Sequence, residues 1–243
     1  MRRLIRPTLT TKTVKALGRV TNRVVAAQNP KDQAEKSWDN KPNVAFSEVR
    51  MELENMASGR SRCMYCEDSF GTDIDHFWPK ADYPERAFLW ENYLLACSYC
   101  NSNLKRKLFP VDAAGSPLLI NPTEDDPELY LRLLPSTGEY ISLGAKGDES
   151  IKVFGLNDTA SARNLPDGRK HALICLLALL KDYDRVFAID ADKAEEIRLA
   201  AKGFPFSAVL SWLVTTAKLP VGSVILGADV VSLIQTHQVE GWL

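Results

Sequence analysis

Four of the five cysteines fall into two C-x-x-C pairs, Cys63-Met64-Tyr65-Cys66 and Cys97-Ser98-Tyr99-Cys100, with 30 residues between them. Two residues between cysteines let both thiolates of a pair face one ion, and two such pairs complete a closed tetrahedral shell of four sulphurs. A shell of that kind is structural for zinc, because no coordination position stays open for substrate or water. A C-x-x-C pair can also act as a dithiol redox couple. Two pairs without a thioredoxin-like βαβ pattern around them favour Zn2+ instead. The fifth cysteine, Cys175, sits in the apolar run HALICLLALL and reads as a core residue.

Between the pairs runs Asp73-Ile74-Asp75-His76-Phe77-Trp78-Pro79-Lys80, then Trp90-Glu91-Asn92-Tyr93; directly after the second pair come Asn101 and Lys105-Arg106-Lys107. Taken singly these residues are ordinary. Asn92 is a turn residue, Asn101 a helix N-cap, and Lys105, Arg106 and Lys107 a solvated helix face. Trp78, Trp90 and Tyr93 are core aromatics. Their joint order, C-x-x-C, D-H-x-x-P, N, C-x-x-C-N, resembles the HNH endonuclease family, the zinc-bearing ββα-metal nucleases. That resemblance implies a strand ending at His76, a loop carrying Asn92 and a short helix carrying Asn101. Cleaving a phosphodiester needs an activated water and a sink for negative charge. A neutral imidazole takes a proton near pH 7, and a hard divalent cation with oxygen ligands stabilises the phosphate and the leaving oxygen. By the resemblance, His76 is the general base, Asp75 and Asn101 hold a catalytic Mg2+ or Mn2+, and Asn92 orients His76 through backbone contacts. Lys80, Lys105, Arg106 and Lys107 flank the site as nucleic-acid-binding cations that hold the backbone without reading bases. Neighbours on a strand point to opposite faces, so Asp75 and His76 can share one site only where the strand ends or distorts; Pro79 is consistent with such an end.

The sharp match covers residues 60–110. A weaker likeness extends outward through the opening Met1-Arg2-Arg3-Leu4-Ile5-Arg6-Pro7, Phe109-Pro110, Leu118 to Pro122, Asp125-Asp126-Pro127 and Phe154-Gly155-Leu156-Asn157. These segments resemble the HNH effectors of Septu-type and retron-linked anti-phage systems, which act beside an ATPase partner. The sequence departs from that pattern at Asn101, which stands in place of His at the third motif position, and at Trp78 and Tyr130, where Arg and His are expected.

The elements that must position this site are legible in outline. Over 243 residues, with 45% hydrophobic and 25% charged side chains, the composition is globular and excludes disorder, collagen and a disulfide scaffold. The net charge of −1 hides an asymmetry. Arg2, Arg3, Arg6, Lys12, Lys15, Arg19, Arg23 and Lys31 give residues 1–31 eight cations and no acid, which leaves 22 cations against 31 acids, or −9, on the remainder. A basic arm on an acidic body keeps a nucleic-acid partner in play. Arg2 and Arg3 precede no apolar h-region, and Ala172–Leu180 is too short to span a bilayer. The reading is therefore a cytoplasmic protein with no membrane association, in a reducing compartment.

Apolar spacing predicts a helix over residues 10–28, a loop over 31–44, and a second helix from an N-cap at Ser47 to Ser58 with Phe46, Val49, Leu53 and Met56 on one face. A β-hairpin follows, with Leu129–Leu134 and Glu139–Leu143 joined by the turn at 135–138, then a short strand at 151–154. Helices are expected near 159–183, 190–202, 205–218 and 226–236. The expected class is α+β, a ββα-metal (HNH) nuclease core stapled by a four-cysteine zinc site, between N-terminal helices and a C-terminal helical subdomain. The divisions are 1–44 (basic arm and helix), 45–112 (nuclease core), 113–157 (Pro/Gly-rich connection with hairpin) and 158–243 (helical subdomain). The functional expectation is a metal-dependent endonuclease acting on DNA in bacterial defence. The alternative is a non-cleaving, zinc-stabilised nucleic-acid-binding or ATPase-docking subunit.

Overall fold

The computed structural model describes residues 1–243. Residues 1–9 are extended and lie against the body: Met1, Leu4 and Leu9 are buried, and the Leu4 amide donates to the Pro122 carbonyl at 2.8 Å. The basic arm is therefore docked. Arg6 is a staple, donating to the carbonyls of Trp90 (2.9 Å), Glu91 (3.2 Å) and Tyr93 (2.9 Å) and to Thr123 Oγ1 (2.8 Å). Thr10 then caps α1 (Thr11–Val25), which buries Leu17, Val20 and Val24 at helical spacing and leaves Lys12, Lys15, Arg19 and Arg23 exposed.

The polar stretch expected to be loop is instead α2 (Pro30–Asp39). Asn29 caps it through its side chain, Pro30 takes the first helical position where a missing N–H costs nothing, and only Ala34 and Ser37 need burial. In α3 (Asn43–Met56) the inward residues are Phe46, Val49 and Leu53, as the periodicity requires. Ser47 does not cap it. The helix starts after Pro42, and the Ser47 hydroxyl donates back to the Asn43 carbonyl at 2.9 Å.

The central unit is β1 (Asp73–His76) paired antiparallel with β2 (Tyr93–Ala96), in register Asp75 to Leu94 and His76 to Tyr93, followed by α4 (Tyr99–Lys105). Every residue of β2 is buried, so the strand reads as a continuous apolar run. Helix α4 has wide turns, with the Arg106 amide reaching back five residues to the Asn101 carbonyl at 2.7 Å. Such widened turns recur at functional sites. Asn101 lies inside this helix, its own amide bonded to the Cys97 carbonyl, so it is not the N-cap.

Beyond the core, β3 (Leu131–Leu133) and β4 (Tyr140–Ser142) form the expected hairpin. Gly138 turns it at φ +73°, where a side chain would strike the Pro166 carbonyl. Residues 151–154 are not a strand; they end α5 (Ala145–Phe154), which stops at left-handed Gly155. The remaining helices are α6 (Leu165–Phe187), α7 (Ala191–Lys202), α8 (Ser207–Ala217), α9 (Gly222–Leu226) and α10 (Ala228–Thr236). Cys175 is exposed on α6, because Ala172, Leu176, Leu180 and Tyr183 form the inward face. No single helix is long and apolar enough to cross a membrane. Buried apolar side chains from Met1 to Trp242 form one continuous cluster, so the terminal helices and the central unit share a core.

Candidate active site

The four paired cysteines meet under the β1–β2 pair. Their sulphurs lie within 4.8 Å of one another and all four residues are buried. Zn–S bonds of about 2.3 Å at tetrahedral angles set sulphurs about 3.8 Å apart, and the 4.0 Å between the sulphurs of Cys66 and Cys97 is close to that. The donor set and its geometry fit zinc. Hydrogen bonds from neighbouring thiols bring Cys66 down to about 7 and hold Cys97 lower still, while burial raises Cys63. Arg163, stacked on Tyr99 at 4.5 Å, points a guanidinium nitrogen to within 3.7 Å of the Cys100 sulphur. The first knuckle also holds the C-terminal helices, since Glu67 accepts from the Ser207 hydroxyl (2.8 Å) and the Ala208 amide (3.2 Å) at the start of α8.

His76 ends β1 and is buried. Its Nε2 lies 2.9 Å from the Ala87 carbonyl, an acceptor, so Nε2 carries the proton and Nδ1 keeps its lone pair. Nδ1 has no protein partner and is not sealed from solvent. Burial, with the positive charges of Lys105 and Lys80 adding, brings the imidazole down to about 3, so it is neutral near pH 7. The ring packs edge-on against Trp38 of α2, centroids 4.3 Å apart, and against Tyr93.

Asn92 locks the intervening loop. Its Oδ1 accepts from the Trp78 amide at 2.7 Å, and its Nδ2 donates to the carbonyls of Trp78 and Arg86, each at 3.0 Å. These are the backbone contacts expected of it. They fix the loop that brings the Ala87 carbonyl to His76.

Asp75 and Asn101 do not form the expected cation pair. Neighbours on a strand alternate faces, and the Asp75 carboxylate is taken up by partners that the His76 ring does not share. One carboxylate oxygen accepts from the Tyr65 hydroxyl at 2.5 Å, and the Lys105 ammonium stands 3.1 and 3.0 Å from the two oxygens. Asn101 donates to Asp73 Oδ2 at 3.0 Å, not to Asp75. A hard divalent cation needs free oxygen ligands, and Asp75 already carries a cation, so Asp75 with Asn101 does not fit Mg2+ or Mn2+. Lys105 is likewise no nucleic-acid-binding residue, being fully buried beneath β1. Lys80, Arg106 and Lys107 do line a cleft of about 280 Å³ together with Trp38, Asp75, His76 and Asn101. Tyr130 lies at the β-hairpin, outside that cleft.

Trp38 and Tyr65 complete the site and were not legible as members of it; Lys105 was legible as a cation beside the site, but not as the buried partner of Asp75. The one available signal is that Lys105 follows Asn101 by a turn of helix, which puts it on the face that meets β1.

The antiparallel pair, the helix after it and a four-cysteine cluster that could hold a zinc ion define a ββα unit, and residues 63–107 match the HNH endonuclease family profile. Among curated proteins the chain is similar to Septu protein PtuB of Bacillus mycoides (strain KBAB4), 33% identical over 140 residues, 45% of this chain and 46% of that protein. It is also similar to Septu protein PtuB of Bacillus thuringiensis, 29% identical over 122 residues, 47% of this chain and 44% of that one. The chain thus spans about half the length of the curated relatives it matches.

Proposed function

We propose that the protein is an endonuclease that hydrolyses DNA phosphodiester bonds with His76 as general base. The observation that carries this is the fixed tautomer of His76. The Ala87 carbonyl holds the Nε2 proton, Nδ1 is left without a protein partner, and His76 lines a cleft together with Lys80, Arg106 and Lys107. A neutral ring with one anchored nitrogen can take a proton from water at the other. The three cations hold a phosphate against it without reading sequence. Asn92 acts through the loop it locks. The divalent cation that the family uses, Mg2+ or Mn2+, supplies charge stabilisation at the phosphate; Asp75 is not assigned to it.

The similarity to Septu proteins supports a role as the nuclease of an anti-phage system in the cytoplasm, working with an ATPase subunit. The deciding experiment is nicking of supercoiled plasmid by zinc-loaded protein in Mg2+ or Mn2+, wild type against His76→Ala. Cutting confined to the wild type supports the reading. Salt-sensitive DNA binding without cutting by either protein would make it a binding module. Plating efficiency of phage on cells carrying the full system with either form tests the defence role.

A further inference from the structure

The buried ion pair behind the cleft is unused by the chemistry just described. Lys105 is fully buried, yet its ammonium makes three contacts: 3.1 and 3.0 Å to the Asp75 oxygens and 2.6 Å to the His76 carbonyl. The Tyr65 hydroxyl takes a further position on the carboxylate at 2.5 Å. Burial raises the Tyr65 phenol, so it stays protonated as a donor. Positive and negative charge therefore balance within one closed group, in which the ammonium donates to one Asp75 oxygen and to the His76 carbonyl. Removing one partner of such a pair strands the other in a dry interior, whereas replacing both with neutral groups of similar volume costs little. A divalent cation at Asp75 would have to displace the Lys105 ammonium from the carboxylate it neutralises and from the His76 carbonyl.

We infer that Lys105 is the permanent counter-cation of Asp75, and that Lys105, Asp75 and Tyr65 form a positioning triad that fixes the end of β1 and hence His76, in place of a divalent-metal ligand. The link to His76 is direct, because the same ammonium that neutralises Asp75 holds the His76 backbone. The catalytic consequence rests on the nuclease reading above; the ion pair and its effect on His76 do not.

The test uses the full zinc-loaded chain as Asp75→Asn, Lys105→Met and the double variant. Thermal unfolding should show each single variant melting roughly 10 °C lower and the double variant recovering most of that loss. Mn2+ binding, read from the electron paramagnetic resonance of the free ion, should stay within threefold of wild type in the double variant. Absence of Mn2+ binding in the wild type would equally exclude a site at Asp75. The chain has three histidines, so nitrogen-15 spectra resolve the His76 ring. Its resonances should move in Lys105→Met, or in the double variant if the single does not fold, and stay put in Arg106→Gln. The inference is overturned if Asp75→Asn keeps its melting temperature while Mn2+ affinity falls tenfold or more, or if the His76 resonances ignore the loss of Lys105. None of these readouts uses DNA cleavage, so a protein that never nicks DNA yet shows the coupling removes the nuclease reading alone.

Discussion

His76 Nε2 and the Ala87 carbonyl stand 2.9 Å apart across the loop that joins the two strands of the central unit. That bond decides which nitrogen of the imidazole faces the cleft. It exists because Asn92 ties the same loop at Trp78 and Arg86.

If His76 is the base, His76→Ala should reduce plasmid nicking by about 10²–10⁴-fold with zinc content and folding unchanged. The pH profile should be distinctive. An ordinary histidine loses its basic form below about 6.5, whereas His76 is held near 3 by burial. The acid limb of kcat/KM should therefore lie well below pH 6. A limb centred near 6.5 would show that His76 is not buried in the working state.

The same burial sets a stability slope. Between about 6.5 and about 3, the unfolded chain binds a proton at His76 that the native protein does not, so stability is lost as pH falls through that window. The greatest slope from this one group is about 1.4 kcal/mol per pH unit. Urea denaturation from pH 7 to pH 4.5 should show the wild type losing more stability than His76→Gln. Parallel curves would contradict it.

Cys66→Ser should lower bound zinc and destabilise the β1–β2 unit, because the four sulphurs join the knuckle before β1 to the knuckle after β2. Zinc stoichiometry by mass spectrometry, with thermal unfolding before and after a chelator, checks this. A variant that retains full zinc would break the assignment. Because Glu67 of the first knuckle anchors α8, loss of zinc should also loosen the C-terminal helices, visible as faster amide exchange at the start of α8.

How much of this was legible in the sequence depends on whether a local rule or a distant contact decided each position. The cysteine pairing and the hairpin around Gly138 follow from local patterns, and the structure has them; the strand ending at His76, which the family resemblance implies, is also present. The helix at Pro30–Asp39 was not legible, because a polar helix with a narrow inward face has little periodicity to read. Its cap, Asn29-Pro30, was the available sign. Lys105 sat within a basic run that looks solvated, and only the packing of α4 onto β1 shows that its ammonium is buried. Asp75 and Asn101 kept the residue types of a cation site, but the packing of α4 onto β1 set their actual partners, Lys105 for Asp75 and Asp73 for Asn101.

Arg6 gives a test of the docked arm. Its guanidinium is desolvated enough to bring it down to about 10, and it makes four hydrogen bonds to groups that would be left without a donor. Arg6→Ala should cost about 2–4 kcal/mol, measured by chemical denaturation. A loss under about 0.5 kcal/mol, less than one ordinary hydrogen bond, would mean the segment is not docked in solution.

The exposed face of α1 makes the opposite prediction. Lys12, Lys15, Arg19 and Arg23 are all exposed, none of them takes part in an ion pair, and their helix packs on the Pro84–Arg86 turn of the loop beside the cleft. If the protein acts on DNA as proposed, these four cations would hold its backbone beside an otherwise acidic body. Replacing all four with Gln should leave stability within about 1 kcal/mol of wild type, since exposed charges contribute little. Affinity for a short duplex should fall, and the slope of log K against log salt should shrink by about 0.9 for each phosphate that is no longer neutralised. Fluorescence anisotropy between roughly 50 and 200 mM salt, the range over which such binding is most salt-sensitive, reads both quantities. An unchanged slope would assign the basic face of α1 to something other than the nucleic-acid backbone.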